Sequence, residues 1–387
     1  MKIALILPST PAYSETFFRS KIKGLQAHGH QVVLITAKKG VKFDLCEHRE
    51  HPKIYKNKVL QLFMMLKVFL SLIFYFKRVM TYYKLEREEH TPFKRILEKI
   101  YVNATLLKLN IDWLHFGFAT MAINRELVAK SIKAKLAVSL RGFDIAIYPL
   151  KHKNCYNLLW KHVNKVHTIS NDLITLAKNL GLSKSVHVEK ITPAIDVSFF
   201  KEKEIDYESQ IRFLTVARLH WKKGIVQTLQ SLAELKKKQI SFTYTIVGDG
   251  NDYERIAFAI HEMDLTDQVH LVGKKDREQV RELYERSNIY VQYSISEGFC
   301  NAVLEAQAMG LLCVVSDAEG LSENIIHKET GWVVPKNEYK YLTETLLHVI
   351  DLSQEIKNKI ILTAKKRVRD NFNLEKQQQN FLEFYNQ

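Results

Sequence analysis

The sequence predicts an α/β chain of two Rossmann-like domains facing each other across a central cleft, with a helical segment at the C-terminal end. Three observations carry this. Short apolar runs rich in branched residues alternate with helical stretches, the pattern of a doubly wound parallel sheet. The alternation stops over a polar, charged stretch, Asp196 to Gln210, and then restarts. The 387 residues suffice for two domains of ordinary size. The domains are therefore placed at 1–205 and 206–387, with the last helix a candidate to cross back onto the first.

Taken in order, Ile3–Leu7 reads as a buried strand, Glu15–His28 as a helix closed by Gly29, and Gln31–Thr36 as the next strand. Strand, helix and strand within about 36 residues form a βαβ unit. Further strands of this half are expected at Ile111–Phe116, Leu136–Leu140, Lys165–Ile169 and Val186–Ile191. The second half opens with strand Phe213–Ala217, helix Ile225–Lys237 and strand Phe242–Val247. Strands at Val269–Val272, Ile289–Tyr293 and Leu312–Val315 follow, and the remainder is helical, ending in Leu374–Tyr385. In open sheets of this kind ligands bind beyond the carboxyl ends of the strands.

Hydrophobic residues make up 46% and charged residues 26%, which excludes wholesale disorder. The four cysteines, Cys46, Cys155, Cys300 and Cys313, have no C-x-x-C spacing, against a disulfide framework or a structural zinc site and in keeping with a reducing compartment. The apolar N-terminal run is too short for a signal peptide, so a cytoplasmic location is expected. The net charge of +15 is unevenly spread: residues 1–205 hold 34 basic and 16 acidic side chains, residues 206–387 hold 23 and 26. The first half thus suits a polyanion or an anionic surface, or is merely a basic, soluble domain.

One run departs from the α/β pattern. Val59–Phe76 is interrupted only by Gln61, Lys67 and Ser71, borders on the length of a membrane span, and carries a lysine at its middle. It reads as a helix that is either buried or lies on a membrane, with Lys77, Arg78 and Lys84 directly after it.

The chemistry concentrates in two loops. Ser294 to Gly310 begins as a polar loop after a strand and continues as a helix from about Asn301, stopped by Gly310. A helix N-terminus presents unpaired N–H groups and suits a phosphate. Glu297 in the loop and Glu305 one turn into the helix can accept hydrogen bonds from sugar hydroxyls, or else simply cap and solvate that helix. Arg218 and Lys223, after the second half's first strand, offer two cations to a diphosphate, or form a basic surface loop. Val247-Gly-Asp-Gly250 is a third turn, weak by itself.

With Glu297 and Glu305 separated by seven residues, Ser296–Gly310 resembles the E-x7-E motif of retaining nucleotide-sugar glycosyltransferases with the GT-B fold, and more narrowly glycosyltransferase family 4. The likeness extends through Val314–Gly320, Glu323–Ile326, Thr330–Pro335 and the Arg218/Lys223 loop. In the first half it includes Ser14-Glu-Thr-Phe17, His115-Phe-Gly117, Arg141-Gly-Phe-Asp144 and Ser170, which fit polysaccharide-building members. It is strongest over 211–335 and weak over 40–105.

The resemblance implies that Arg218 and Lys223 hold the donor's diphosphate, that Glu297 grips the transferred hexose, and that Gly298, Phe299, Cys300 and Asn301 supply loop amides. It implies that Glu305 holds the ribose, that His115 touches the donor sugar, and that Ser14, Glu15, Arg141 and Asp144 lie on the acceptor side. His115 at a strand end and Asp144 after Gly-Phe also have purely structural readings, as a satisfied core group and a turn cap. The family often has glycines where Ala12-Tyr-Ser14 stands and often His where Arg141 stands, which bears on the acceptor. The expected partners are a UDP- or GDP-sugar and a saccharide or lipid-linked saccharide at the inner face of an anionic membrane, as in cell-surface polysaccharide or glycolipid assembly. No cofactor, metal or nucleic acid is expected. Two competing readings are a sugar-nucleotide epimerase of the same fold and a non-enzymatic polyanion-binding protein.

Overall fold

β1 (Lys2–Leu7) is the first apolar run, and from Ile3 onward its side chains are at most 1% exposed. Burial on both faces is what a continuous apolar strand requires, and a parallel sheet supplies it. The computed structural model describes residues 1–11, 16–37, 43–200 and 210–386. These form two compact units, Met1–Ile191 with Gln378–Gln387, and Thr192–Gln377.

The first unit's sheet adds β2 (Gln31–Thr36), β3 (Glu47–Glu50), β4 (Trp113–Phe116), β5 (Lys135–Leu140), β6 (Lys165–Thr168) and β7 (His187–Lys190). All pairs are parallel, in the order β3-β2-β1-β4-β5-β6-β7. The second unit holds β8 (Ile211–Val216), β9 (Phe242–Val247), β10 (Val269–Leu271), β11 (Ile289–Gln292), β12 (Leu312–Ser316) and β13 (Trp332–Val334). It too is all parallel, in the order β10-β9-β8-β11-β12-β13. In each sheet the chain works outward from a central strand and then returns beside it, so β1/β4 and β8/β11 are the switch points where such folds bind ligands.

Helices cover the sheets where their apolar spacing allows. Ile225–Lys237 buries Ile225, Leu229, Leu232 and Leu235, one stripe at three- and four-residue intervals, in the second unit's core. In the first unit, Thr16–Ala27 buries Phe17, Phe18, Ile22 and Leu25, and Gly29 after it takes the left-handed backbone that ends such a helix. The last helix, Leu374–Asn386, begins in the second unit. From Gln378 it belongs to the first, whose core receives Phe381, Leu382, Phe384 and Tyr385.

Three expectations need correcting or completing. The division falls at Ile191/Thr192 and not at 205/206, because Asp196 folds into the second unit: it pairs with Arg277 at 3.3 Å and caps its own turn. Most of the expected linker, 201–209, lies outside the described residues. The sequence pattern does not announce β3 or β13. β3 is a polar edge strand, Glu-His-Arg-Glu, alternately half-buried and exposed, and β13 is three residues long.

Val59–Phe76 is not a buried helix. It forms a helix, Lys58–Leu70, with no buried residue, and a short turn, Ile73–Tyr75, leading into Phe76–Glu88. No single helix among the described residues is long and apolar enough to cross a membrane; Lys58–Leu70 and Ile73–Glu88 qualify only as a pair, bent by 54°.

Candidate active site

The β8 loop and the β11 loop meet at the switch point of the second sheet. After β8 come Arg218 and a single 3-10 turn, Trp221–Lys223, ended by Gly224 in a left-handed conformation (φ 60°). A Cβ on Gly224 would run into the carbonyl oxygen of Tyr293, so only glycine lets the two loops close. The Lys222 carbonyl accepts the N–H of Ile295 at 2.6 Å, which ties the loops through backbone. The Gly248-Asp-Gly250 turn supports the same loop from β9: a Cβ on either glycine would strike the carbonyl of Ala217 or Leu219, and Leu219 N donates to Asp249 O at 3.0 Å. Its glycines therefore serve close backbone packing.

This arrangement brings Lys223 Nζ onto the Glu297 carboxylate as an ion pair, both side chains about one-sixth exposed. Burial works against the Lys223 charge, but Glu297 outweighs it and the net shift of its pKa is upward, so Lys223 stays cationic. Arg218 is exposed and has no hydrogen-bond or ion-pair partner among the described residues. The Lys222 ammonium beside it is pushed down by burial first, with Arg218 and Lys223 adding to the effect. A half-buried anion opposite three cations is thus combined with one cation left unpaired, an electrostatic setting for a diphosphate.

The Glu297 loop is held from below by residues that sequence reasoning did not single out. Glu319 accepts the Glu297 N–H at 2.7 Å and is itself paired with Lys336 at 3.1 Å. Asn324, fully buried, clamps Cys300 by accepting its N–H at 3.1 Å and donating to its carbonyl at 2.9 Å. Both lie in stretches that carry the family resemblance, so the signal was present but named no role.

Of the residues expected to offer amides, Gly298, Phe299 and Asn301 keep N–H groups with no partner among the described residues, whereas that of Cys300 is spent on Asn324. The Phe299 side chain turns inward against Phe372, with ring centroids 5.7 Å apart. Burial pushes the Cys300 thiol up to about 12, so it is no nucleophile. The helix Asn301–Met309 begins at Cys300 and ends at Gly310 (φ 90°) as its sequence implies. On it, Glu305 accepts from Tyr284 OH at 3.1 Å, and burial lifts its carboxyl to about 7.

The first-unit residues divide differently. His115 is fully buried and engaged on both ring nitrogens: Nδ1 lies 2.5 Å from Tyr385 OH and 3.3 Å from Lys21 Nζ, and Nε2 lies 2.8 Å from Ser139 Oγ. The same hydroxyl meets His167 Nδ1 at 2.8 Å. Burial holds both imidazoles well below their usual pKa, so they are neutral core groups. This corrects the expectation that His115 is presented to a sugar, since no surface of it is open. Asp144 is likewise structural, accepting the N–H of Ala119 and of Arg141 at 3.0 Å each while 1% exposed. Arg141 packs its guanidinium over Phe17 and Phe18, at 3.9 and 4.3 Å. Ser14 and Glu15 lie outside the described residues.

Residues 196–367 match the family model described as glycosyl transferases group 1. The chain is 29% identical over 276 residues to the amylovoran biosynthesis glycosyltransferase AmsK of Erwinia amylovora, covering 68% of this chain and 67% of that one. It is 27% identical over 278 residues to the N,N'-diacetylbacillosaminyl-diphospho-undecaprenol alpha-1,3-N-acetylgalactosaminyltransferase of Campylobacter jejuni, covering 66% of this chain and 72% of that one. In fold it is similar to Anabaena HepE in complex with UDP, with a TM-score of 0.73 at 15% identity over 99% and 98% of the two chains. The two parallel sheets are those of a GT-B fold, and the chain is a glycosyltransferase that carries a glycosyl transferases group 1 domain at residues 196–367.

Proposed function

We propose that the chain is a retaining hexosyltransferase that moves a hexose from a UDP- or GDP-sugar to a hydroxyl of a saccharide or lipid-linked saccharide. The observation that carries this is the Lys223–Glu297 pair beside the unpaired Arg218 at the β8/β11 switch point. The names of the AmsK and Campylobacter relatives support a polysaccharide or lipid-linked acceptor, and the UDP held by HepE supports a nucleotide donor.

In the reaction the bond between the anomeric carbon and the diphosphate breaks, with negative charge growing on the leaving oxygen. Arg218 and Lys223 stabilise that charge, the work a metal does in other transferases, so added divalent ions are not needed. Glu297, displaced from Lys223 by the arriving phosphate, accepts hydrogen bonds from the sugar. No carboxylate is assigned as a nucleophile, so the acceptor oxygen attacks from the face the diphosphate leaves, and its proton passes to a leaving phosphate oxygen. Glu305 takes the ribose hydroxyls in place of Tyr284.

We assign the protein to the surface of an anionic membrane. Leu62, Phe63, Leu66, Leu70, Ile73, Phe74 and Phe76 all stand exposed, Phe74 to 94%, with Lys58 before them, Lys67 among them and Lys77 and Lys84 after them. Apolar insertion with basic flanks suits reversible interfacial binding.

The deciding experiment offers UDP- and GDP-hexoses with saccharide and polyprenyl-diphosphate-saccharide acceptors in EDTA, and reads the product's anomeric configuration by NMR. A product of the donor's configuration is expected. An inverted product, or turnover only with added metal, overturns the mechanism.

A further inference from the structure

The first unit contains a cavity of about 470 Å³ away from its switch point. One wall is the exposed helix, through Gln61 and Met65, which lie one turn apart on one face. Another is the helix Phe93–Val102, through Arg95, Lys99 and Tyr101, and the turn bearing Ile123 and Arg125 closes it. The volume is in the range of small-molecule sites, and the lining combines apolar walls with a few convergent polar groups.

The lining itself is mostly cationic, with the buried Glu86 and Glu126 behind it. The lining holds three cations, Arg95, Lys99 and Arg125, against one carboxylate, Glu98. Lys99 is satisfied by the fully buried Glu86 behind it, at 2.7 Å. Arg95 reaches Glu98 with Nη1 at 2.8 Å, yet its side chain is half exposed. Arg125 donates Nη1 to Met121 O at 3.0 Å, while its Nε is buried and has no acceptor among the described residues. The apolar side continues outward, since Leu62 and Leu66, next to Gln61 and Met65, are exposed.

We propose that this cavity is a second ligand site, taking the anionic phosphate head of a lipid whose chain leaves along Lys58–Leu70. Arg95 and Arg125 receive the phosphate oxygens, and Met65, Tyr101 and Ile123 pack against the first carbons of the chain. A free phosphate would use the cations and leave the apolar walls empty. A neutral lipid would leave the cations of the lining without an anion. The inference rests on reading Lys58–Phe76 as membrane-contacting, and is independent of the transfer reaction.

The test is calorimetric titration of the full chain with soluble probes: dihexanoyl phosphatidic acid, geranyl phosphate, dihexanoyl phosphatidylcholine and inorganic phosphate. Saturable binding of one or both lipid monophosphates at one per chain is expected, at least tenfold tighter than phosphatidylcholine or inorganic phosphate. A preference for geranyl phosphate assigns the site to isoprenoid lipids, and a preference for phosphatidic acid assigns it to bilayer lipids. Arg95→Glu, on a half-exposed side chain that the fold tolerates, and Met65→Asp should each weaken this binding at least tenfold without changing the affinity for UDP. No saturable heat from either lipid, equal affinity for inorganic phosphate, or unaltered binding by both variants overturns the proposal. Loss of UDP binding by the wild type with lipid binding intact would instead overturn the donor-site reading alone.

Discussion

A diphosphate that reaches Arg218 and Lys223 has to compete with Glu297 for the lysine, and this competition makes the carboxylate's role measurable. Glu297→Gln keeps the shape of the side chain and removes the charge that grips the sugar in the transition state. We expect kcat/KM to fall by two to three orders of magnitude, about 3–4 kcal/mol. Arg218→Ala should cost about 2–4 kcal/mol of transition-state stabilisation and, being exposed and unpaired, almost no folding stability. Near-normal transfer by either variant would remove that residue from the machinery. Glu305 gives a pH test. Its folded-state pKa, lifted by burial to about 7, lies above that of the unfolded chain. The folded protein therefore holds this proton more tightly, and the associated stability, present below about pH 4.5, is lost as pH rises through about 7. Glu305→Gln escapes that loss, so its stability advantage should grow between pH 4.5 and 7, to about 1–3 kcal/mol, and then stay flat. UDP affinity of the wild type should rise over pH 6–8, as the carboxylate forms, and stay flat in the variant. Glu297, Arg218 and Lys223 were legible in the sequence because each sits in a loop directly after a strand. His115 was not, because what buries it, Tyr385, lies 270 residues away and leaves no local trace.

Among elements, the strands clearest in the sequence are those with both faces buried, such as β1 and β12, where apolar character is continuous, while the edge strands β7 and β10 still carry apolar residues. β3 escaped because all four of its residues, Glu-His-Arg-Glu, are polar, which an edge position tolerates. The run Val59–Phe76 shows the opposite failure, since apolar composition identifies a helix but not what covers it. Its exposure leads to a prediction. The wild type should co-sediment with vesicles containing anionic lipid, and release as salt screens the basic residues. Replacing Phe63, Phe74 and Phe76 by Ser should abolish sedimentation while leaving Tm unchanged, because these side chains are exposed and support no core. If the wild type stays in the supernatant at low salt, the acceptor is a soluble saccharide and the membrane assignment fails.

At the scale of the whole molecule, two sheets of the same central topology were legible from repeated alternation, but the ownership of the last helix was not fixed by its own pattern. Only the structure shows that its apolar stripe completes the first unit's core, over β1, β4 and the helix Thr16–Ala27. Phe381, Leu382, Phe384 and Tyr385 are at most 5% exposed. Lys21, fully buried with its pKa pushed down by burial, lies beneath them, 4.2 Å from the Phe381 ring. Deleting residues 378–387 would uncover these four positions, each worth about 1.5–3 kcal/mol of burial, a total comparable to the stability of an entire domain. Hydration of Lys21 offsets a part of the loss, since its charge no longer pays for desolvation. The truncated chain should therefore split its thermal transition, with β1, β4, β5 and β6 losing hydrogen-exchange protection well below the temperature at which β8, β11 and β12 do. Tyr385→Phe, which keeps the ring and removes only the hydroxyl facing His115, should cost about 1 kcal/mol and leave a single transition. A truncated chain that melts at the wild-type temperature, with β1 still protected, would show that the last helix contributes nothing essential to the first unit.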